Sequence, residues 1–229
     1  MSKSIIIIGF GPGISTSVAE KFGAEGFCVA LVARKAERLA AGVGALKAKG
    51  IAASAFPADA SNPASIRAAI AKARTAFGAI TVIHWNAYSG AEAGDLMATD
   101  PAAVRGVFDV AVVGLLAAVQ EALPDLKTTK GAILVTNGAF GDTSPPMDEL
   151  AVNLKAMGVA LANAAKYKLV GLLAQRLKGD GVYIGEVMVA GMIKGTPWAA
   201  DGQGIEGSTV ANKFWDLYQA RGEVRARVS

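Results

Sequence analysis

The sequence predicts an α/β fold: one domain in which a doubly wound parallel sheet lies between two helix layers, a three-layer α/β/α arrangement. Three observations carry this. Short apolar runs alternate with longer amphipathic segments along most of the chain. Those runs are apolar nearly throughout, as strands covered on both faces must be. A glycine-rich turn, Gly9-Phe10-Gly11-Pro12-Gly13, stands between the first run and the first helical segment. The bulk properties agree: 229 residues, 52% of them hydrophobic and 18% charged, suffice for a full sheet with two covering layers and exclude a disordered chain.

In chain order, strands are expected at 5–8, 29–33, 51–56, 80–85, 132–136 and 182–189, each short and bounded by Gly, Pro, Asp or Asn. Helices are expected between them at 15–25, 36–49, 63–77, 101–123 and 149–177, the last with an interruption near Gly158. Pro63 and Pro101 fall where a first helical turn tolerates proline, with Ser61/Asn62 and Thr99/Asp100 available as caps. Residues 195–207 hold Pro197, Trp198 and four glycines and read as a loop. A helix at 208–220 follows, then an edge strand in which Val224, Ala226 and Val228 alternate with Arg225 and Arg227. The expected organisation is a single domain, 1–229, with a flexible flap at about 194–207.

Several classes of function are excluded. The net charge of +4, from 23 Lys+Arg against 19 Asp+Glu, is too dispersed for a nucleic-acid surface but suits a multiply phosphorylated small ligand. The longest apolar stretch, 110–119, falls short of the roughly 20 residues that span a bilayer, and the N-terminus lacks the features of a signal peptide, so no membrane role is expected. One cysteine, Cys28, and one histidine, His84, leave no disulfide scaffold and no metal site, and point to a reducing, cytoplasmic setting.

The glycine-rich turn supplies chemistry. Between strand and helix, Gly9, Gly11 and Gly13 let the chain turn sharply and bring backbone N–H groups toward a pyrophosphate at the helix N-terminus, as in a Rossmann fold. The second strand ends at Ala33-Arg34-Lys35, where an NAD-preferring site carries Asp or Glu for the ribose hydroxyls. No acid occurs before Glu37, whereas Arg34 and Lys35 can pair with a 2′-phosphate, which favours NADP(H) over NAD(H). The alternative is that both are solvated residues opening a surface helix.

Gly9-x-x-x-Gly13-Ile14, Arg34, Asp59-Ala60 after the third strand and Asn86-Ala87 after the fourth together resemble the short-chain dehydrogenase/reductase family, from about Lys3 to the C-terminus. The resemblance implies that Asp59 meets the adenine amino group and that Asn86-Ala87 passes behind the adenosine ribose. It implies a nicotinamide-side loop at 191–196, with Ile193 on the carboxamide and Thr196 on the phosphates. The chain departs from the family at Ser15 (a glycine, so that serine is expected to crowd a close helix–strand approach), Tyr88 (a glycine) and Ala190 (a proline).

The family's reduction uses a tyrosine to protonate the carbonyl, a lysine one turn later that lowers its pKa, a serine that orients the carbonyl and an asparagine on an earlier helix. By resemblance, Ala111 stands at the asparagine position and Gly138, beside Asn137, at the serine position. No Tyr-x-x-x-Lys occurs. Counting back from Leu177 puts the tyrosine and lysine positions on Val159 and Asn163; counting forward from Gly138 gives Ala151 and Lys155. Lys155, Val159, Asn163 and Tyr167, spaced by four, would share a stripe on a continuous helix, making Lys155 and Tyr167 the available substitutes, Tyr167 alternatively serving as a core or interface aromatic. His84 reads as a packed side chain, and Asp142 and Asp148 as loop acids.

The expected function is therefore an NADP(H)-dependent oxidoreductase of a small carbonyl or alcohol with altered catalytic residues. The alternative is a catalytically inactive NADP(H)-binding sensor or partner subunit, and a third is a scaffold that binds no nucleotide. Apart from a small-molecule substrate, the expected partner is a second copy: a homodimer or homotetramer paired through helices 101–123 and 149–177, whose Ala117, Ala118, Ala160, Leu161, Ala164 and Ala165 permit close packing. Trp198, Met192, Tyr88 and Phe140 are candidates to line an apolar substrate pocket.

Overall fold

A computed structural model describes residues 3–197, 199 and 202–229. Seven parallel strands run β1 (Ser4–Ile8), β2 (Cys28–Val32), β3 (Ala53–Ala55), β4 (Val82–Trp85), β5 (Ala132–Gly138), β6 (Tyr183–Val189) and β7 (Arg225–Val228), in the spatial order β3-β2-β1-β4-β5-β6-β7. Parallel strands need crossovers, and each is helical where the amphipathic segments fall. The period of two along each strand divides the core. Ile5, Ile7, Val29, Leu31 and Leu134 face one layer, made by α1 (Ile14–Ala24), α2 (Ala36–Ala48) and α8 (Gly207–Ala220). Ile6, Ile8, Ala30, Val32 and Ile133 face the other, made by α3 (Pro63–Phe77), α5 (Leu115–Thr129) and α7 (Met157–Leu177).

The caps form as the sequence suggests: Asn62 accepts from the Ser65 amide at the start of α3, and Asp100 from the Ala102 amide at the start of α4 (Pro101–Phe108). Two helices differ from expectation. The segment expected at 101–123 is a helical run of 29 residues, Pro101–Thr129, in which Asp109–Gly114 is wound as a π-helix between α4 and α5. By length and composition this run could cross a membrane, a possibility the apolar stretch 110–119 does not suggest by itself. Its apolar residues Leu115, Ala118, Val119, Ala122 and Leu126 are instead buried on the sheet.

The helix expected at 149–177 is two helices, α6 (Pro145–Asn153) and α7, and the break lies at 154–156 rather than at Gly158. Lys155 takes a left-handed conformation with φ 49°, its amide donates to the Val152 carbonyl, and the Ala156 amide donates to the Ala151 carbonyl. That pair of bonds is a Schellman ending with lysine where glycine usually stands. Lys155 therefore cannot share a helical stripe with Val159, Asn163 and Tyr167. At the opposite end, the expected flap is clamped at its base: Ile193 bridges Ile205, and Lys194 pairs with Glu206 at 2.6 Å.

Candidate active site

The sheet order reverses at β1, between β2 and β4, and a crevice opens there at the carboxyl ends of the strands, where α/β sheets bind ligands. The glycine turn forms its floor. Gly9, with φ 90°, lies against the backbone of Asn86 and Ala87, leaving no room for a side chain. Gly13, with φ 85°, would place a Cβ 2.8 Å from Ile193 Cγ2, so the turn and the nicotinamide-side loop are in direct contact. Helix α1 starts at this turn with no side-chain cap and no acid in its first turn, which leaves its first N–H groups and the positive end of its dipole open to an anion.

Ser15 does not crowd the approach. It is fully buried, and its Oγ accepts from the Gly11 amide at 2.8 Å and donates to the Gly11 carbonyl at 2.9 Å, tying the turn to the helix. The Ala190 departure also has a reason, because its amide donates to the Val228 carbonyl at 2.8 Å and a proline would break that link to β7.

Two cavities run along the crevice and share Arg38, Asn86 and Tyr88. One, of about 670 Å³, is lined by Gly9, Gly11, Arg34, Lys35, Asp59, Ala60 and Ala87. There the Asp59 carboxylate accepts from both the amide (2.9 Å) and the hydroxyl (2.8 Å) of Ser61, and the Ser61 amide first, then its hydroxyl and the Arg34 charge, hold it below the usual carboxylate range against the effect of burial. Asn86 Nδ2 donates to the Gly9 carbonyl at 3.3 Å, locking the end of β4 to the turn.

The second cavity, of about 710 Å³, lies on the side of the 191–196 loop, with Ile14, Ile193 and Thr196 in its lining. The Thr196 hydroxyl is spent on the Ile193 carbonyl at 2.6 Å. Gly138, Val159 and Asn163 form the opposite wall, so of the two registers it is the one counted back from Leu177 that reaches the cavity. A Cβ on Gly138 would lie 2.5 Å from Asn163 Nδ2: the asparagine amide fills the space a serine there would need.

The other candidates lie elsewhere. Ala111 is buried in a small apolar cluster with Ala93, Val107 and Ala162. Ala151 and the exposed Lys155 are outside the cavity lining. Tyr167 lies beneath the Arg225 guanidinium, 3.7 Å from its ring centre, also away from both cavities. His84 is packed edge-on against Phe214 and bonded to Thr136 Oγ1 at 3.1 Å; burial pulls its pKa down to about 3, which keeps it neutral. Asp142 accepts from the Ser144 amide at the entry to α6. Met192, Tyr88 and Phe140 line the second cavity, while Trp198 lies outside the described residues.

Two cavity residues escape the sequence reading. Arg38, on α2, has Nη1 3.5 Å from the position a Gly11 Cβ would occupy, at the junction of the two cavities. Lys166, one turn after Asn163, is nearly fully buried, and its Nζ donates to the Thr136 carbonyl at 3.0 Å. Beside it the wholly buried Glu186 accepts from Asn137 Nδ2 at 2.7 Å and from Arg225 Nε at 2.8 Å. The available signal was spacing for Lys166, at i,i+3 from Asn163 on one helix, and proximity for Arg38, in the first turn of the helix that follows Arg34 and Lys35.

Comparison with known proteins agrees with this geometry. The family model described as short chain dehydrogenase matches residues 3–197. The 3-oxoacyl-[acyl-carrier-protein] reductase FabG of Staphylococcus aureus is 29% identical over 171 residues, 74% of this chain and 69% of that protein. In fold, the chain resembles a metagenomic short-chain oxidoreductase in complex with NADP (TM-score 0.79, 23% identity, 99% of this chain and 96% of that one). It also resembles L-sorbose reductase from Gluconobacter frateurii, complexed with NADPH and L-sorbose (TM-score 0.85, 19% identity, 100% and 96%). With a matching family model over most of its length and the family's strand order around an open glycine turn, the chain belongs to the short-chain dehydrogenases.

Proposed function

We propose that this oxidoreductase uses NADP(H) to interconvert a small carbonyl compound and its alcohol, with the proton moved by a route other than the family's tyrosine and lysine. The observation that carries the proposal is the continuous crevice: an uncapped helix N-terminus at a glycine turn, Arg34, Lys35 and Arg38 at one end, and at the other a chamber with Phe140, Met147 and Met192 in its walls. The cofactor supplies hydride at its nicotinamide ring. The chain supplies the rest. Gly9, Gly11, Gly13 and Ile14 would receive the pyrophosphate, and Arg34, Lys35 and Arg38 a 2′-phosphate. Asp59, through the carboxylate oxygen left free by Ser61, would accept from the adenine amino group, with Ala60, Asn86 and Ala87 walling the adenosine and Ile193 and Thr196 the nicotinamide side. NADP and NADPH in the two structural relatives support this assignment.

A second reading, a non-catalytic NADP(H)-binding sensor or partner subunit, is favoured by the wall itself. Where the family's proton donor and ribose-binding lysine are expected stand Val159 and Asn163, and of the four tyrosines only Tyr88, more than half exposed, lines the cavities among the described residues. Both readings require the dinucleotide. Titration followed by nicotinamide fluorescence is expected to give micromolar NADPH binding, weaker NADH binding and loss of the difference in Arg34→Asp. No binding of either at millimolar concentration overturns both. A carbonyl panel then separates enzyme from sensor by NADPH consumption. We propose a homodimer or homotetramer as the assembly, supported by Leu161 and Leu172 left exposed on α7, with light scattering as its test.

A further inference from the structure

The second cavity is charged in one sense only. Arg38, Lys166 and Arg227 line it, and no carboxylate does among the described residues. Arg38 sits at the glycine turn, on the phosphate side, which leaves Lys166 and Arg227 for whatever occupies the chamber. Lys166 is 4% exposed and has three N–H bonds, of which one reaches the Thr136 carbonyl; the other two have no partner among the described residues. Arg227, at the end of the edge strand β7, likewise has none among the described residues.

Charge balance sharpens the point. Glu186 is the buried carboxylate of this region, and both its oxygens are engaged, one by Asn137 and one by Arg225. Lys166, Arg225 and Glu186 together therefore carry one positive charge in excess when the lysine is protonated. Excess buried charge is costly, and it is relieved by losing a proton or by admitting an anion. The rest of the lining is uncharged: Asn137, Asn163 and Thr136 lie among the polar residues, and Phe140, Met147, Leu150, Leu154 and Met192 supply apolar walls. An occupant must match both features.

We propose that this cavity takes its substrate as an anion, a carboxylate joined to an apolar body, with the carboxylate held by the Lys166 ammonium and drawn in by Arg227. Calling the occupant a substrate, an oxo acid or the corresponding hydroxy acid, rests on the oxidoreductase reading; the binding of the anion does not.

The proposal predicts a pH dependence. Burial brings the Lys166 pKa down to about 8, with Glu186 pulling the other way. A carboxylate needs the protonated amine, so binding takes up a proton above that value and weakens about tenfold per pH unit. The charges around Lys166 are Glu186 on β6 and Arg225 and Arg227 on β7, while β5 brings only the uncharged Thr136 and Asn137. The other elements packed on α7 bring Glu92 on the 3-10 turn Ala91–Ala93, Arg105 on α4, Asp109 on the π-helical segment, Asp148 and Glu149 on α6, and Lys178 and Asp180 on the 3-10 turn Lys178–Asp180.

The test is equilibrium binding of 3-phenylpropanoate and hexanoate against their neutral amides, by calorimetry, with and without saturating NADPH. The acids are expected to bind at least about tenfold more tightly than the amides at pH 7, with the preference fading from pH 8 to 10. Lys166→Met is expected to lose the preference, Lys166→Arg to keep it up to pH 10, and Arg227→Ala to weaken it a few-fold, all three still titrating with NADPH. Should Lys166→Met fail to fold, the pH profile of the unaltered protein and Lys166→Arg decide. Equal binding of acid and amide, no binding of either, or a preference that Lys166→Met leaves intact overturns the proposal. Those outcomes with normal NADPH binding leave the oxidoreductase reading standing; acid binding without NADPH binding does the reverse.

Discussion

At the residue scale, the wall that should carry the chemistry is built by two residues that answer each other. Gly138 ends β5 with its missing side chain facing Asn163 Nδ2, so the space a serine there would need is taken by an amide. Gly138→Ser alone must push that amide aside and is expected to lower stability by about 1–3 kcal/mol. Asn163→Ala opens the space, and the double variant is expected to recover at least about 0.5 kcal/mol relative to the sum of the single changes. Urea melts of the four proteins provide the cycle, and additive values would separate the two positions.

His84 makes a second residue-scale prediction. Its folded pKa of about 3 lies below the unfolded value of 6.5, so the unfolded chain binds the proton first. Its contribution to stability is complete above pH 6.5 and is lost as pH falls from there toward 3, at about 1.4 kcal/mol per unit. Between pH 6.5 and 5 this amounts to about 2 kcal/mol, which His84→Gln, able to keep the Thr136 bond, is expected to remove from the acid sensitivity. Denaturation at the two pH values measures it.

At the scale of elements, the alternation of apolar runs and amphipathic segments was enough to locate β1 to β6, because parallel strands buried on both faces have to be apolar throughout, while the edge strand β7 showed instead as apolar residues alternating with Arg225 and Arg227. Helix boundaries were less legible. The α6–α7 break depends on Lys155 adopting a left-handed conformation that lysine does not favour, so it left no glycine or proline in the sequence to mark it. Tertiary contact stabilises it: the Met157 amide donates to the Gly94 carbonyl, and Gly94 lies against the Lys155 carbonyl. Lys155→Gly is accordingly expected to stabilise the protein by about 1 kcal/mol, read as a raised melting temperature. The same break explains why the four-residue spacing misled: a stripe through Lys155 and Tyr167 presumes a helix that the backbone interrupts.

The crevice was legible at the glycine turn, where the chemistry is carried by the backbone and the motif is local. It was not legible at Lys166, where the meaning of the residue comes from β5 and β6, which stand 30 and 20 positions away at Thr136 and Glu186. A lysine on a helix is ordinarily solvated, and only the tertiary fold turns this one inward.

At the scale of the whole molecule, the crevice lies where the sheet divides. Strands β1 to β3 with α1, α2 and α3 form one side, and β4 to β7 with α5, α7 and α8 the other; the sheet joins them at the β1–β4 pairing, and the layers join them where α1 packs on α8 and α3 on α5. A dinucleotide in the crevice would touch both: the glycine turn and Arg34 on the first side, Asn86 and the 191–196 loop on the second. Its binding energy then adds to the stability of the folded chain and not of the unfolded one. At a free concentration one hundred times Kd this is about 2.7 kcal/mol, or a rise of roughly 5–11 °C in melting temperature for a domain of this size. NADPH is expected to produce the shift, NADH a smaller one at equal concentration, and Arg34→Asp to abolish the difference between them. Because the shift follows from binding alone, it is expected whether or not the protein turns over, and a melting temperature unmoved by millimolar NADPH would leave the fold with its crevice and without its nucleotide.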